Sequence, residues 1–144
     1  DIITPKALEV DFKVLIRELP VPSLMVYNRE TVIAEKLQAM VNLDLINSRL
    51  KDFYDIWLIC TQFEFNEDVL VKAISATFKR RETEFPEENI ASLTEYFYGD
   101  AGKQMQWKAF IRKGKISPKD LSLEQVCHDI SEVLSGAFDR VRKS

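Results

Sequence analysis

Apolar residues along this chain of 144 residues recur first at every second position and, after residue 28, at every third or fourth. One face of residues 7–16 carries, in alternation, Leu8, Val10, Phe12 and Val14. This alternation predicts a half-buried β-strand. The prolines of the following "RELPVPSLMVYN" predict an extended connector, because proline continues neither a helix nor a central strand.

The remainder of the chain predicts helices, with Asn28 and Ser48 as N-caps of the first two. The predicted helices cover residues 29–43, 49–62, 67–81, 92–97, 102–113 and 122–142. Only four glycines occur, which argues against a β fold with many turns. The prediction is a mainly α fold in a single domain, 1–144, made of a strand region over 1–18 and a helical region over 28–144.

The amino-acid composition of the chain argues against several classes of function. The formal net charge is −3, so the chain as a whole has no basic footprint for nucleic acid or anionic membranes. No apolar run approaches the roughly 20 residues of a membrane span. The two cysteines, Cys60 and Cys127, form no metal-binding pattern and are expected as buried free thiols in a reducing cytoplasm.

Lys36 occupies an unusual position on the first predicted helix. The polar face of that helix consists of Thr31, Glu35, Gln38 and Asn42. Lys36 lies about 100° away from Glu35 and should therefore face the packed side, where an ammonium group needs an acidic partner. Asp52 and Asp55 are the nearest candidates, one turn apart on the next helix, and Lys51 stands four residues before Asp55. Such a cluster serves either as a structural ion-pair network or as a site for a charged substrate.

Three stretches carry a family resemblance. They are "YNRETVIAEKLQAMV", "NSRLKDFYDIWLI" and "LVKAISATFKRRET". In this order, they resemble the C-terminal half of the AbiEii/AbiGii toxin family of nucleotidyltransferases, found in bacterial toxin–antitoxin and phage-defence systems. The resemblance implies a minimal nucleotidyltransferase, α+β when complete, with a Gly-Ser motif and acidic residues on an N-terminal sheet. A lysine and an aspartate from the C-terminal helices complete its site.

The resemblance assigns roles to five residues of the helical region. Lys36 of "AEK" matches the lysine motif, while Asp52 and Asp55 of "KDFYD" match the aspartate motif, and these three are the implied catalytic residues. Arg49 and Lys51 belong to the same second motif and are expected to bind substrate.

On the N-terminal side, Asp11 of "LEVDF" is the implied strand carboxylate beside a metal site. Mg²⁺ and a nucleoside triphosphate are the implied cofactors of the complete protein. No Gly-Ser stretch followed by acids occurs in these 144 residues, so an N-terminal nucleotidyltransferase half is an expected partner and the chain alone is expected to be inactive. The alternative is a non-catalytic helical module or truncated relic that binds an antitoxin-like partner.

Two further expectations concern partners. The complete protein would transfer a nucleotide to an RNA or protein acceptor and work beside an antitoxin, and the exposed edge of the strand over 7–16 would favour homo-oligomers. RNA could contact two basic segments, Lys79 to Arg81 and residues 108–115, the latter interleaved with Trp107 and Phe110. Aromatic residues at helical spacing are more often core, however. His128 lies beside Asp129, without a serine or cysteine arrangement that would make it a catalytic base, and is expected to be structural.

Overall fold

The computed structural model describes residues 28–144, and in that range all regular secondary structure is helical. The α-helices are α1 (Arg29–Leu43), α2 (Leu50–Gln62), α3 (Glu67–Arg80), α4 (Glu95–Tyr98), α5 (Ala101–Gly114) and α6 (Leu123–Lys143). Short 3₁₀ turns occupy Asp44–Ile46 and Ala91–Leu93. The mainly α class is confirmed, while the predicted strand over 7–16 lies outside the described residues. None of the helices in 28–144 combines the length and the apolar character needed to cross a membrane.

Two local predictions are wrong. Ser48 is not the N-cap of α2, because that position belongs to Arg49, which makes no side-chain capping bond, and the Arg49 N–H donates to Asn47 Oδ1 at 2.6 Å. The helix predicted over 92–97 is a 3₁₀ turn followed by α4, since Thr94 is extended and its hydroxyl donates to the carbonyl of Ala91 at 2.6 Å. By contrast, Asn28 caps α1 as predicted.

Helix α1 is the central helix of the described fold. It packs against α2 and α3, and α6 packs across the same two helices. Seven consecutive residues of α1, from Val32 to Gln38, are buried. The middle of the predicted polar face is therefore buried, with Glu35 and Gln38 only 7% and 5% exposed, whereas Asn42 near the helix end is exposed. Buried polar side chains such as Glu35 and Gln38 need partners within the protein.

The end of α3 and the residues after it supply the partners for this polar face. The Glu35 carboxylate pairs with Arg80 and with Arg81, whose Nη2 lies 2.7 Å from Oε1. Gln38 donates from Nε2 to the hydroxyl of Thr83 at 2.9 Å. These contacts fix the rotation of α1 about its axis, because they hold Glu35 and Gln38 toward α3 while Lys36 faces α2.

Aromatic contacts position the helices beyond α2. Phe53 of α2 stacks on Phe97 of α4 with ring centroids 5.0 Å apart and an interplanar angle of 6°. On α5, Trp107 is buried and donates from its indole N–H to the carbonyl of Leu121 at 2.8 Å. Tyr54 meets Phe110 edge-on, which places α5 alongside α2. Buried aromatic rings of this kind contribute strongly to core packing because each removes a large apolar area from water.

Candidate functional site: a buried lysine between two aspartates

The Lys36 side chain crosses from α1 to two carboxylates of α2. Its Nζ lies 3.3 Å from Asp52 Oδ1 and 3.0 Å from Asp55 Oδ2. All three residues are buried, with exposures of 5%, 3% and 0%. The structure thus brings together the three residues that the sequence selects, in the orientation that the spacing on α1 predicts. Their catalytic roles remain a prediction.

Two more cations extend this arrangement toward the surface. Arg49 Nε lies 3.2 Å from Asp52 Oδ2, and Lys51 Nζ lies 2.8 Å from Asp55 Oδ2. Their side chains are 60% and 38% exposed, so both reach solvent, unlike the lysine of α1. We call Lys36, Arg49, Lys51, Asp52 and Asp55 the Lys36 cluster. It contains one more positive than negative charge, which makes it suited to an anionic ligand.

Burial disfavours the charged form of the Asp55 carboxyl. Burial raises the pKa of its carboxyl above the ordinary value of 3.8, and this effect outweighs the opposing influence of Lys36 and Lys51. Its Oδ1 atom is buried and has no hydrogen-bond partner among the described residues. A buried carboxylate that is only partly satisfied is a stronger base than one in water, since its charged form is less stable.

The pH dependence of stability should reveal this pKa. Between pH 3.8 and the raised pKa, the folded chain binds more protons at Asp55 than the unfolded chain does. The free energy of unfolding therefore falls as the pH rises through that interval. Asp55→Asn removes this titration, so the difference in unfolding free energy, wild type minus variant, should decrease from pH 3.8 upward in urea denaturation series. An increase over the same interval would show that the two lysines, and not burial, control the carboxyl.

The Lys36 cluster does not fit a metal ion. In residues 28–144 no group of three or more histidine, cysteine, aspartate or glutamate side chains could hold one. The carboxylate oxygens that face Lys36 are already engaged by ammonium groups, which would repel a divalent cation. Asp11, the residue that the family resemblance associates with a metal, lies outside the described residues. The Mg²⁺ that the family resemblance implies stays a prediction, and the carboxylates of the Lys36 cluster are not its expected ligands.

The two cysteines and the histidine are the other side chains of residues 28–144 considered as nucleophile or base, and their contacts favour a structural role. Burial raises the pKa of the Cys60 thiol to about 12, with Asp129 adding to the effect, and burial alone raises that of Cys127 to about 12. Both are free and buried as predicted, and both stay protonated, so neither is an effective nucleophile. Exposed His128 shares a hydrogen bond of 2.9 Å with the hydroxyl of Tyr98, with no cysteine or serine nucleophile in that contact.

The basic segments predicted to contact RNA have different surroundings. Glu35 engages both Arg80 and Arg81, so its single carboxylate offsets one of their two positive charges. Trp107 is core, as its helical spacing also allowed, while Lys108 and Arg112 on the same helix are exposed. RNA contact stays a prediction for both segments.

Asn47 is a residue of the site that sequence analysis missed. It is completely buried, its Oδ1 accepts the N–H of Arg49, and its carbonyl accepts from Lys103 Nζ at 2.5 Å. Its Nδ2 has no partner among the described residues. Asn47 therefore fixes the backbone from which Arg49 extends toward Asp52. An asparagine before a serine is typical of any helix-linking turn, so the sequence offered no specific signal.

Comparison with known proteins adds one match. The family model described as nucleotidyl transferase AbiEii toxin, type IV TA (toxin–antitoxin) system, matches residues 1–136. The matched range contains every residue of the Lys36 cluster, Asn47 and the two motifs on α1 and α2. No curated protein and no solved structure matches the chain.

Proposed function

This chain belongs to the AbiEii toxin family of nucleotidyltransferases, and we propose that its Lys36 cluster is the part of the nucleotidyltransferase site that holds the phosphates of the nucleotide. In this proposal Lys36, Arg49 and Lys51 contact phosphate oxygens. Asp52 and Asp55 hold the Lys36 ammonium in place. The observation that carries the proposal is the burial of Lys36 between two buried carboxylates of the next helix.

Charge and geometry support phosphate as the ligand. An ammonium group has three N–H donors, and two carboxylates engage Lys36, which leaves one donor for a third acceptor. Lys51 and Arg49 reach solvent from the same two carboxylates and can meet the ligand there. A purely structural pair would be complete with equal charges, whereas the Lys36 cluster has a cation in excess.

The reaction proposed for the complete site is transfer of a nucleotidyl group. An acceptor oxygen attacks the α-phosphorus, the bond from that phosphorus to the bridging oxygen of the β-phosphate breaks, and pyrophosphate leaves. Lys36 offsets the negative charge that grows on the phosphate oxygens. The proton of the attacking group passes to a carboxylate of the complete site, for which Asp52 and Asp55 are the candidates within the Lys36 cluster.

The cofactors and partners of this reaction follow from the family. Mg²⁺, when bound, would offset the charge of the triphosphate, and the described residues that surround Lys36 do not fit it. Membership in a toxin–antitoxin family suggests an antitoxin partner. An RNA or protein acceptor and an N-terminal half with the Gly-Ser motif are part of the proposal. Self-association through residues 7–16 and a cytoplasmic location likewise remain predictions.

Binding of inorganic triphosphate to the chain tests the phosphate role, measured by isothermal titration calorimetry. Arg49→Met with Lys51→Met should weaken binding about tenfold or more, since two partly exposed cations near the ligand are removed. Both side chains are exposed enough for the variant to fold, which circular dichroism will verify.

The matched control is Lys72→Met with Lys79→Met, which removes the same charge from exposed positions on α3. This control should bind triphosphate within about twofold of the wild type, apart from the small effect of net charge. Equal weakening in both double variants, or no detectable binding by the wild type, would contradict the proposal and leave the Lys36 cluster as a structural network.

A further inference from the structure

A groove of about 410 Å³ runs along the C-terminal half of α5 and is closed on its other side by residues 115–121. We call it the α5 groove. Four exposed cations line it, and no acidic residue is among the described residues that do so. The four cations are Lys108, Arg112, Lys115 and Lys119. No residue of the Lys36 cluster lines this groove, so it forms a separate feature of the described surface.

The four cations have no ion-pair partner in residues 28–144. Arg140, by contrast, is paired, lying 2.7 Å from Asp68 and 3.2 Å from Glu67. Exposed lysines such as Lys72 and Lys79 on α3 have no ion pair in that range either, so what sets the α5 groove apart is that four such cations line one groove. The chain as a whole is acidic, with a net charge of −3. Four cations along one groove favour an anionic ligand there, while Asp120 and Glu124 line an adjoining pocket that shares Lys108 and Lys119 with it.

The apolar lining of the α5 groove indicates which class of anionic ligand fits it. Trp107, Ile111 and Leu121 contribute to it, and each is buried. The Trp107 ring is only 2% exposed and its N–H is already bonded to Leu121, so the groove offers no free aromatic face on which a base could stack. Single-stranded nucleic acids depend on such stacking for much of their affinity. Aliphatic side chains, in contrast, need only the apolar surface and the lysine stems.

The spacing of the cations indicates the shape of the ligand. Lys108 and Arg112 stand four residues apart on α5, about 6 Å along the helix axis, and Lys115 follows as the left-handed residue just after the helix. An α-helix lying alongside α5 presents carboxylates at the same intervals when its acids recur every turn. We propose that the α5 groove binds an acidic amphipathic helix of a partner protein. This interaction is independent of the nucleotide site proposed above.

A labelled synthetic helical peptide tests the proposal, with glutamates at positions i, i+4 and i+7 and leucines on the adjoining face. Binding to the full 144-residue chain is followed by fluorescence anisotropy, beside a scrambled peptide of equal composition and an oligouridine RNA. The ordered peptide should bind at least about tenfold more tightly than the scrambled one, because only it matches the cation spacing. Equal binding of the two peptides, or no binding of the ordered peptide, would overturn the proposal.

Substitutions of groove residues test whether the peptide binds in the α5 groove. Lys108→Glu with Arg112→Glu should weaken binding at least about tenfold, whereas Lys113→Glu, on the same helix but outside the groove, should change it about twofold or less. Lys115→Gly removes a cation at a left-handed residue with φ 51°, where glycine is unstrained, so it should weaken binding without loss of stability. Tighter binding of oligouridine than of the ordered peptide would overturn the proposal in favour of RNA.

Discussion

Lys36→Met is expected to lower the free energy of unfolding by about 3–5 kcal/mol, because it leaves two buried carboxylates without the ammonium between them. The value should lie near the lower end, since Asp52 and Asp55 retain Arg49 and Lys51. Methionine fills nearly the same volume as lysine, so the loss reports charge and not a cavity. Urea denaturation at neutral pH measures the effect.

Two further variants separate charge from other causes. Lys72→Met, an exposed lysine on α3, should change stability by no more than about 0.5 kcal/mol. Combining Lys36→Met with Asp52→Asn and Asp55→Asn removes the uncompensated carboxylates and should recover at least half of the lost stability, because a buried amide costs less than a buried charge. A single Lys36→Met variant as stable as the wild type would mean that the ammonium contributes nothing to the fold.

Phe53→Ala is expected to destabilise the chain by about 3–5 kcal/mol, the usual range for removing a buried phenyl ring. Phe53 is completely buried and stacks on Phe97, so its loss opens a cavity and detaches α4 from α2. The stack itself adds roughly 0.5–1.5 kcal/mol to the apolar burial. Thermal unfolding followed by circular dichroism measures the change.

Tyr96→Ala is the matched control for the ring of Phe53. Tyr96 lies beside Phe97 in the same short helix but is 87% exposed, so its removal should cost no more than about 0.5 kcal/mol. Similar losses in the two variants would indicate that the stack on Phe97 does not join α4 to the core.

Local features of the sequence predicted most of the helical fold. Helix α1 has the predicted bounds of 29–43, α3 ends one residue earlier than predicted, and α5 and α6 differ from prediction by one residue at each end. Caps and apolar spacing lie within a few residues of each helix, which explains this agreement. Thr94 interrupts the helix predicted over 92–97 through a bond of its hydroxyl to the backbone, which apolar spacing does not reveal.

Long-range contacts explain what the sequence could not predict. Glu35 belongs to the predicted polar face, yet it is buried because Arg80 and Arg81, more than 40 residues later, cover it. The position of Lys36 could be predicted because its rotation on α1 is local and its partners lie on the next helix. The α5 groove depends on residues 115–121 folding back along α5, for which no spacing rule exists. The roles of Arg49, Lys51 and Asp11 came from family likeness alone.

Nucleotidyl transfer by a family member that carries both the Gly-Ser motif and counterparts of Lys36, Asp52 and Asp55 is the decisive measurement. The triple variant with methionine and two asparagines at those counterparts is assayed with a labelled nucleoside triphosphate, below its unfolding temperature. We predict a folded protein whose transfer rate is reduced about 100-fold or more, since the phosphate-facing ammonium is gone. A folded triple variant that transfers nucleotide at the wild-type rate would contradict the proposed function and make the buried lysine a structural element.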